Sequence, residues 1–209
     1  MMTGKRFKDI TLILLLGSIW GLSEASFGDW LYAREIPHAS IYLSLIACLI
    51  FSIAKVFLNY RWTGTALGLF AMLFKLVNVP FFACHLLAIA LLGTGFDIAY
   101  GLVTRLYSGK LRLPVIGMVG TYAGHVLFAV IITYVIRYEY WTAAGLPKVI
   151  DYIFVTGTVT ALFAAVVMTI GTVIGQNIRV LSWPKLHPQL TTVLLLGAIA
   201  GIWILQQAM

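Results

Sequence analysis

Seven long apolar runs decide what this chain can fold into. They are Ile10–Leu31, Ala39–Leu58, Thr63–Phe82, Cys84–Leu106, Leu113–Ile136, Tyr152–Ile174 and Leu190–Leu205. A helix needs about 20 mainly apolar residues to cross ~30 Å of hydrocarbon. Inside lipid the backbone must satisfy its own hydrogen bonds, and the runs are too long for barrel strands. They predict an all-α integral membrane protein, a bundle of about seven transmembrane helices forming a single polytopic domain over residues 1–209. The third and fourth runs meet at Asn78-Val79-Pro80, which fits two spans or a broken hairpin beside six others. Connections are short except for Arg137–Asp151, read as a loop.

Composition excludes the soluble alternatives. Hydrophobic residues make up 61% and charged residues 10%, where a soluble domain carries roughly 45–50% and about 25%. The 14 basic and 7 acidic side chains could not keep a surface of this size wet. Cys48 and Cys84 lie in or beside apolar runs with no C-x-x-C spacing, so packing is their expected role. Lys5, Arg6 and Lys8 ahead of Ile10–Leu16 have the outline of a signal peptide, with Ser23-Glu24-Ala25 as a weak cleavage site. The apolar run nevertheless continues to Leu31, so a retained first helix is expected.

Orientation follows from the basic residues. One set of ends carries Lys5, Arg6, Lys8, Lys55, Arg61, Arg105, Lys110, Arg112, Arg179 and Lys185; the other carries only Arg34, Arg137 and Lys148. This asymmetry alternates with every crossing and predicts a cytoplasmic N-terminus. It accounts for the net charge of +7 through contact with anionic lipid, without a nucleic-acid partner.

Ionisable groups at membrane depth are costly and therefore mark candidate sites. At ~1.5 Å of rise per residue, Glu24 lies roughly 21 Å from the cytoplasmic face, and Lys75 and His125 about 18 Å. Three side chains from three spans thus share one level, and Asn78 and the Thr156/Thr158/Thr160 row fall in the same outer half. Asp29, His38 and His85 sit nearer the outer rim, with Trp30 and Tyr32 at the mouth; Asp97 lies toward the cytoplasm, available to Tyr or Thr hydroxyls. The expected arrangement pairs Glu24 with Lys75, with His125 and Asn78 alongside. It is either a ligand pocket open to the outside or an interhelical staple.

Other chemistries find less support. His38, His85, His125 and Glu24 could offer ligands to zinc, copper or haem iron, but no two histidines have helical i, i+4 spacing. There is no G-x-S-x-G, H-E-x-x-H or Walker A pattern, so no enzymatic activity is expected and any ATP hydrolysis belongs to another chain. Small residues recur four apart at Gly17/Gly21/Ala25, Gly64/Gly68, Gly120/Gly124, Gly171/Gly175 and Gly197/Gly201, a pattern that brings helices close. Most of these should pack the bundle, and one or two are candidates to dock a partner helix.

The run Gly21-Leu22-Ser23-Glu24-Ala25-Ser26-Phe27-Gly28, then His38, then Phe74-Lys75-Leu76-Val77 before a proline-broken segment, resembles a known family over roughly the first half of the chain. These residues are similar to the substrate-binding S components of energy-coupling factor transporters. The resemblance implies a compact helical bundle in a prokaryotic cytoplasmic (inner) membrane that captures a vitamin, its precursor or a metal ion from outside. It also implies a separate transmembrane T component and two cytoplasmic ATPases as partners, with Gly17, Gly21 and Ala25 as the docking face. Nickel and cobalt members carry a histidine directly after the first methionine. Here Met2 follows Met1, so a small organic substrate is expected, with no cofactor and no bound metal.

On this reading Glu24, Lys75, Asn78 and His125, with Asp29 and His85, contact the substrate. Lys75 suits a carboxylate or phosphate, and Glu24 suits an amine or ring N–H. The alternatives are a haem- or metal-binding subunit of a redox complex, and a structural or assembly subunit without a ligand.

Overall fold

The computed structural model describes residues 4–78, 83–109, 111–182 and 188–208. Val79-Pro80, the Asn78 side chain, Lys110 and Lys185 lie outside the described residues. Among the described residues nine α-helices follow in order: α1 (Gly4–Leu22), α2 (Gly28–Ala33), α3 (Ala39–Phe57), α4 (Thr63–Asn78), α5 (Ala83–Leu106), α6 (Arg112–Val130), α7 (Glu139–Asp151), α8 (Gly157–Ser182) and α9 (Pro188–Ala208). Three π-helical turns, Ser23–Phe27, Ile131–Val135 and Tyr152–Thr156, continue α1 into α2, extend α6 and join α7 to α8. Among the described residues six helical segments are long and apolar enough to cross a membrane: Arg6–Ala33, Ala39–Phe57, Ala83–Leu106, Arg112–Val135, Glu139–Val180 and Leu190–Gln207. Thr63–Val77 is a shorter apolar helix. The chain is a multi-pass helical membrane protein.

Helices α1, α4, α5, α6, α8 and α3 follow one another around a closed ring, each packed on the next. Trp20, Phe51, Phe96, Ile116 and Met168 fill its interior, and the Phe51 and Phe96 rings stack with centroids 4.5 Å apart. Glycine sets how closely the helices cross. A Cβ on Gly64 would lie 2.5 Å from the Gly93 carbonyl oxygen, and one on Gly95 would lie 2.6 Å from that of Gly120. In lipid no hydrophobic drive holds helices together, so close backbone approach supplies the packing. The pairing of Gly64 with Gly93 and of Gly68 with Ile89 makes α4 and α5 two antiparallel helices.

Helix α9 stands outside the ring, against α1. Its Trp203 indole donates to Ser18 Oγ at 3.1 Å and meets the Phe74 ring edge-on, and Ser26 Oγ donates to Gln206 Oε1 at 3.1 Å. Gly197 and Gly201 on its outer side have nothing within 4 Å.

Residues 137–151, expected as a loop, are mostly helical. Tyr138 starts the turn, and α7 then runs to Asp151 with a break at Gly145 (φ 64°) that only glycine adopts without strain. Its Trp141 and Val149 pack with Phe128, Ala129 and Ile132, so α7 lies across the ends of α6 and α8. The sequence looked loop-like because α7 exposes most of its surface and carries Glu139, Lys148 and Pro147.

Candidate functional site

Glu24 sits in the π-helical turn between α1 and α2 and is 6% exposed. A π turn inserts one extra residue, re-aims the side chains around it and is frequent at functional sites. The Trp20 indole N–H, one turn earlier, donates to Glu24 Oε1 at 3.1 Å. Lys75 reaches the same turn from α4, 2% exposed, but its ammonium donates to the main-chain carbonyl of Glu24 at 2.8 Å. The Lys75 ammonium thus bonds the main chain of the π turn while its charge still acts on the Glu24 carboxylate.

Glu24 lines a chamber of about 50 Å³ together with Tyr32, Ser40, Leu43, Ser44, His85, Ala88, Ile89, Leu92, Gly124, His125 and Tyr152. His125, 3% exposed on α6, places Nδ1 2.7 Å from the Thr121 carbonyl oxygen one turn back. Among the described residues its Nε2 has no hydrogen-bond partner. The His125 ring rests 5.1 Å from that of Tyr152, and Gly157 leaves room beside it. The His85 ring stacks on Tyr32 with centroids 4.7 Å apart.

Above the chamber opens a vestibule of about 670 Å³ that shares Tyr32, Ser40, His85, Ala88 and Tyr152 with it. These shared side chains form the throat between the two. Asp29, His38, Cys84, Thr156 and the α7 residues Tyr140, Trp141, Lys148 and Asp151 complete the wall. His38 adopts a left-handed backbone (φ 55°), and its Nδ1 lies 3.2 Å from Thr156 Oγ1, tying the start of α3 to the third π turn. Lys148 Nζ lies over the Tyr140 ring, 3.2 Å from its centroid. The vestibule opens at the end that carries Arg34, Arg137 and Lys148, away from the basic-rich ends.

The structure thus brings Glu24, His85 and His125 to one chamber and Asp29 to its vestibule. Lys75 stands behind the wall, and the Asn78 side chain lies outside the described residues. Tyr32 is at the throat, whereas Trp30 turns outward, stacked on Phe27 and covered by Arg34. Asp97 belongs elsewhere: its carboxylate accepts from the Gly64 and Thr65 backbone N–H groups at 2.9 and 2.6 Å, capping the start of α4 from α5. Gly17 and Gly21, expected as a docking face, are buried against Phe70 and Phe74 of this chain, and Ala25 is buried with them. Among the described residues no three His, Cys, Asp or Glu side chains gather closely enough to hold a metal ion.

Sequence reasoning passed over Ser40, Ser44, Tyr152 and the α7 wall. The cluster Tyr138, Tyr140 and Trp141 close to Lys148 and Asp151 was the available signal, legible once that segment is treated as a helix. Comparison with family models, with curated proteins and with solved structures finds no match, so the site is read from its geometry.

Proposed function

We propose that this chain is a membrane-embedded substrate-capture subunit that takes a small organic molecule, of vitamin or vitamin-precursor size, from outside the cell. In this reading seven helices span the cytoplasmic membrane with the N-terminus inside. The observation that carries it is the funnel: a vestibule of about 670 Å³ narrowing onto a buried chamber that holds Glu24 and an unpartnered His125 nitrogen. The volume matches ligand sites, which run about 300–1,000 Å³ and set a few polar groups in apolar walls. The basic residues support the direction, because the vestibule opens at the basic-poor end, the outside by the positive-inside rule.

The chain offers no chemistry for its own energy supply, so transport depends on partners, a transmembrane component and cytoplasmic ATPases being the kind the resemblance implies. With Gly17, Gly21 and Ala25 buried, such a partner must meet another face.

Thermal unfolding of the purified chain against a panel of vitamins and their precursors tests the reading, because a ligand specific to the folded state raises stability. At least one compound should stabilise wild type and do so less in Glu24→Gln. A panel with no stabiliser refutes the reading. A stoichiometric metal or a haem absorption band in the purified protein would favour the redox alternative instead.

A further inference from the structure

The chamber's polar groups sort by hydrogen-bonding sense. The Thr121 carbonyl can only accept, so the His125 Nδ1 that touches it carries the ring proton. In the neutral imidazole this leaves Nε2 a lone-pair acceptor, buried and without a partner. Glu24 is acceptor-only when ionised; Trp20 supplies one donor to Oε1, and the carboxylate keeps further acceptor capacity on the same chamber. The nearest ammonium, on Lys75, is engaged by the Glu24 carbonyl and does not line the cavity. The hydroxyls of Tyr32, Ser40, Ser44 and Tyr152 can donate or accept and so serve either kind of guest. Among the described residues no lysine or arginine lines the chamber, and His85, its other imidazole, stacks on Tyr32.

We infer that the substrate enters head-first as a protonated amine or amidine, its N–H groups bridging the Glu24 carboxylate and His125 Nε2 while its remaining bulk lies in the vestibule. This rests on the capture reading above and names its substrate class. Size agrees: the chamber, about 50 Å³, is far smaller than the vestibule, about 670 Å³, so a head group suits the one and the bulk of the guest the other. Tyr32 and Tyr152, which line the throat, are aromatic rings of the kind that attract a cation. A carboxylate or phosphate head would meet Glu24 and the His125 lone pair with no lysine or arginine among the described residues of the chamber wall to receive it. Lys75, expected to receive an anion, donates to the Glu24 main-chain carbonyl and does not line the chamber.

The test is thermal unfolding of the full chain in detergent, with probes sorted by charge. The vitamin and precursor panel is joined by matched aryl compounds: benzamidine and phenethylamine as cations, benzamide and benzyl alcohol as neutrals, benzoate and phenylacetate as anions. Stabilisers should concentrate among compounds with a protonated nitrogen. Their apparent affinity should fall at least tenfold in Glu24→Gln and in His125→Leu, and hold in Asp9→Asn at the far end of α1. Neutral or anionic compounds stabilising as strongly as cations would overturn the inference and leave the capture reading standing, as would cation binding unchanged in Glu24→Gln. If His125→Leu does not fold, the charge series on wild type and Glu24→Gln still decides. No stabiliser of any charge removes the capture reading itself, and this inference with it.

Discussion

Replacing Lys75 by methionine separates the two roles that lysine could have. Methionine fills nearly the same volume, so little cavity is created, but the Glu24 carbonyl loses the ammonium 2.8 Å away in a site only 2% exposed. A hydrogen bond to a charged group contributes about 1.5–3 kcal/mol. A chain of this length shifts its midpoint by about 2–4 °C per kcal/mol, so Lys75→Met should unfold roughly 3–12 °C below wild type. Glu24→Gln keeps an acceptor for Trp20 and keeps the carbonyl for Lys75, so its unliganded midpoint should move far less. Scanning fluorimetry with and without a stabilising compound reads both quantities. The account requires Lys75→Met to be the stability variant and Glu24→Gln the binding variant. A Lys75→Met protein as stable as wild type yet unable to bind would place the ammonium on the ligand and refute the reasoning.

Other variants follow from the same contacts. Gly95→Val should cost at least about 1–3 kcal/mol by overpacking, since its Cβ would sit 2.6 Å from the Gly120 carbonyl and 2.7 Å from the Gly124 amide, backbone atoms that cannot step aside; thermal unfolding checks it. Gly197→Ala and Gly201→Ala, with nothing within 4 Å, should leave the isolated protein's midpoint unchanged or slightly raised. Asp97→Ala should destabilise by about 1.5–3 kcal/mol or more through two lost bonds at the α4 terminus, with ligand affinity unchanged because His85 lies twelve residues, roughly 18 Å, further along α5.

Six spanning helices and the shorter apolar helix Thr63–Val77 were legible because lipid imposes length and apolarity on each helix directly. Depth was legible too: Glu24 and His125 were placed on one level by counting residues, and they share a chamber. What counting could not give was direction around each axis. The π turns at Ser23–Phe27 and Tyr152–Thr156 re-aim Glu24 and Tyr152, and no residue pattern announces them. Lys75 was matched to Glu24 by charge, whereas the backbone carbonyl supplied its partner. The Gly17/Gly21 spacing did signal close helix approach, but spacing does not name the neighbour, and that neighbour is α4 of the same chain. For Asp97 the Thr hydroxyl expected as its partner is found in the Thr65 side chain, whereas the backbone N–H groups of Gly64 and Thr65 that it also caps are not visible as a pattern.

The most direct measurement is an experimental structure of the full chain in lipid nanodiscs with its best stabilising compound. The account predicts density running from the vestibule through the Tyr32–His85–Tyr152 throat, its nitrogen-bearing end within hydrogen-bonding distance of both the Glu24 carboxylate and His125 Nε2. Density bound elsewhere on the molecule, with those two groups sealed together and dry, would contradict it.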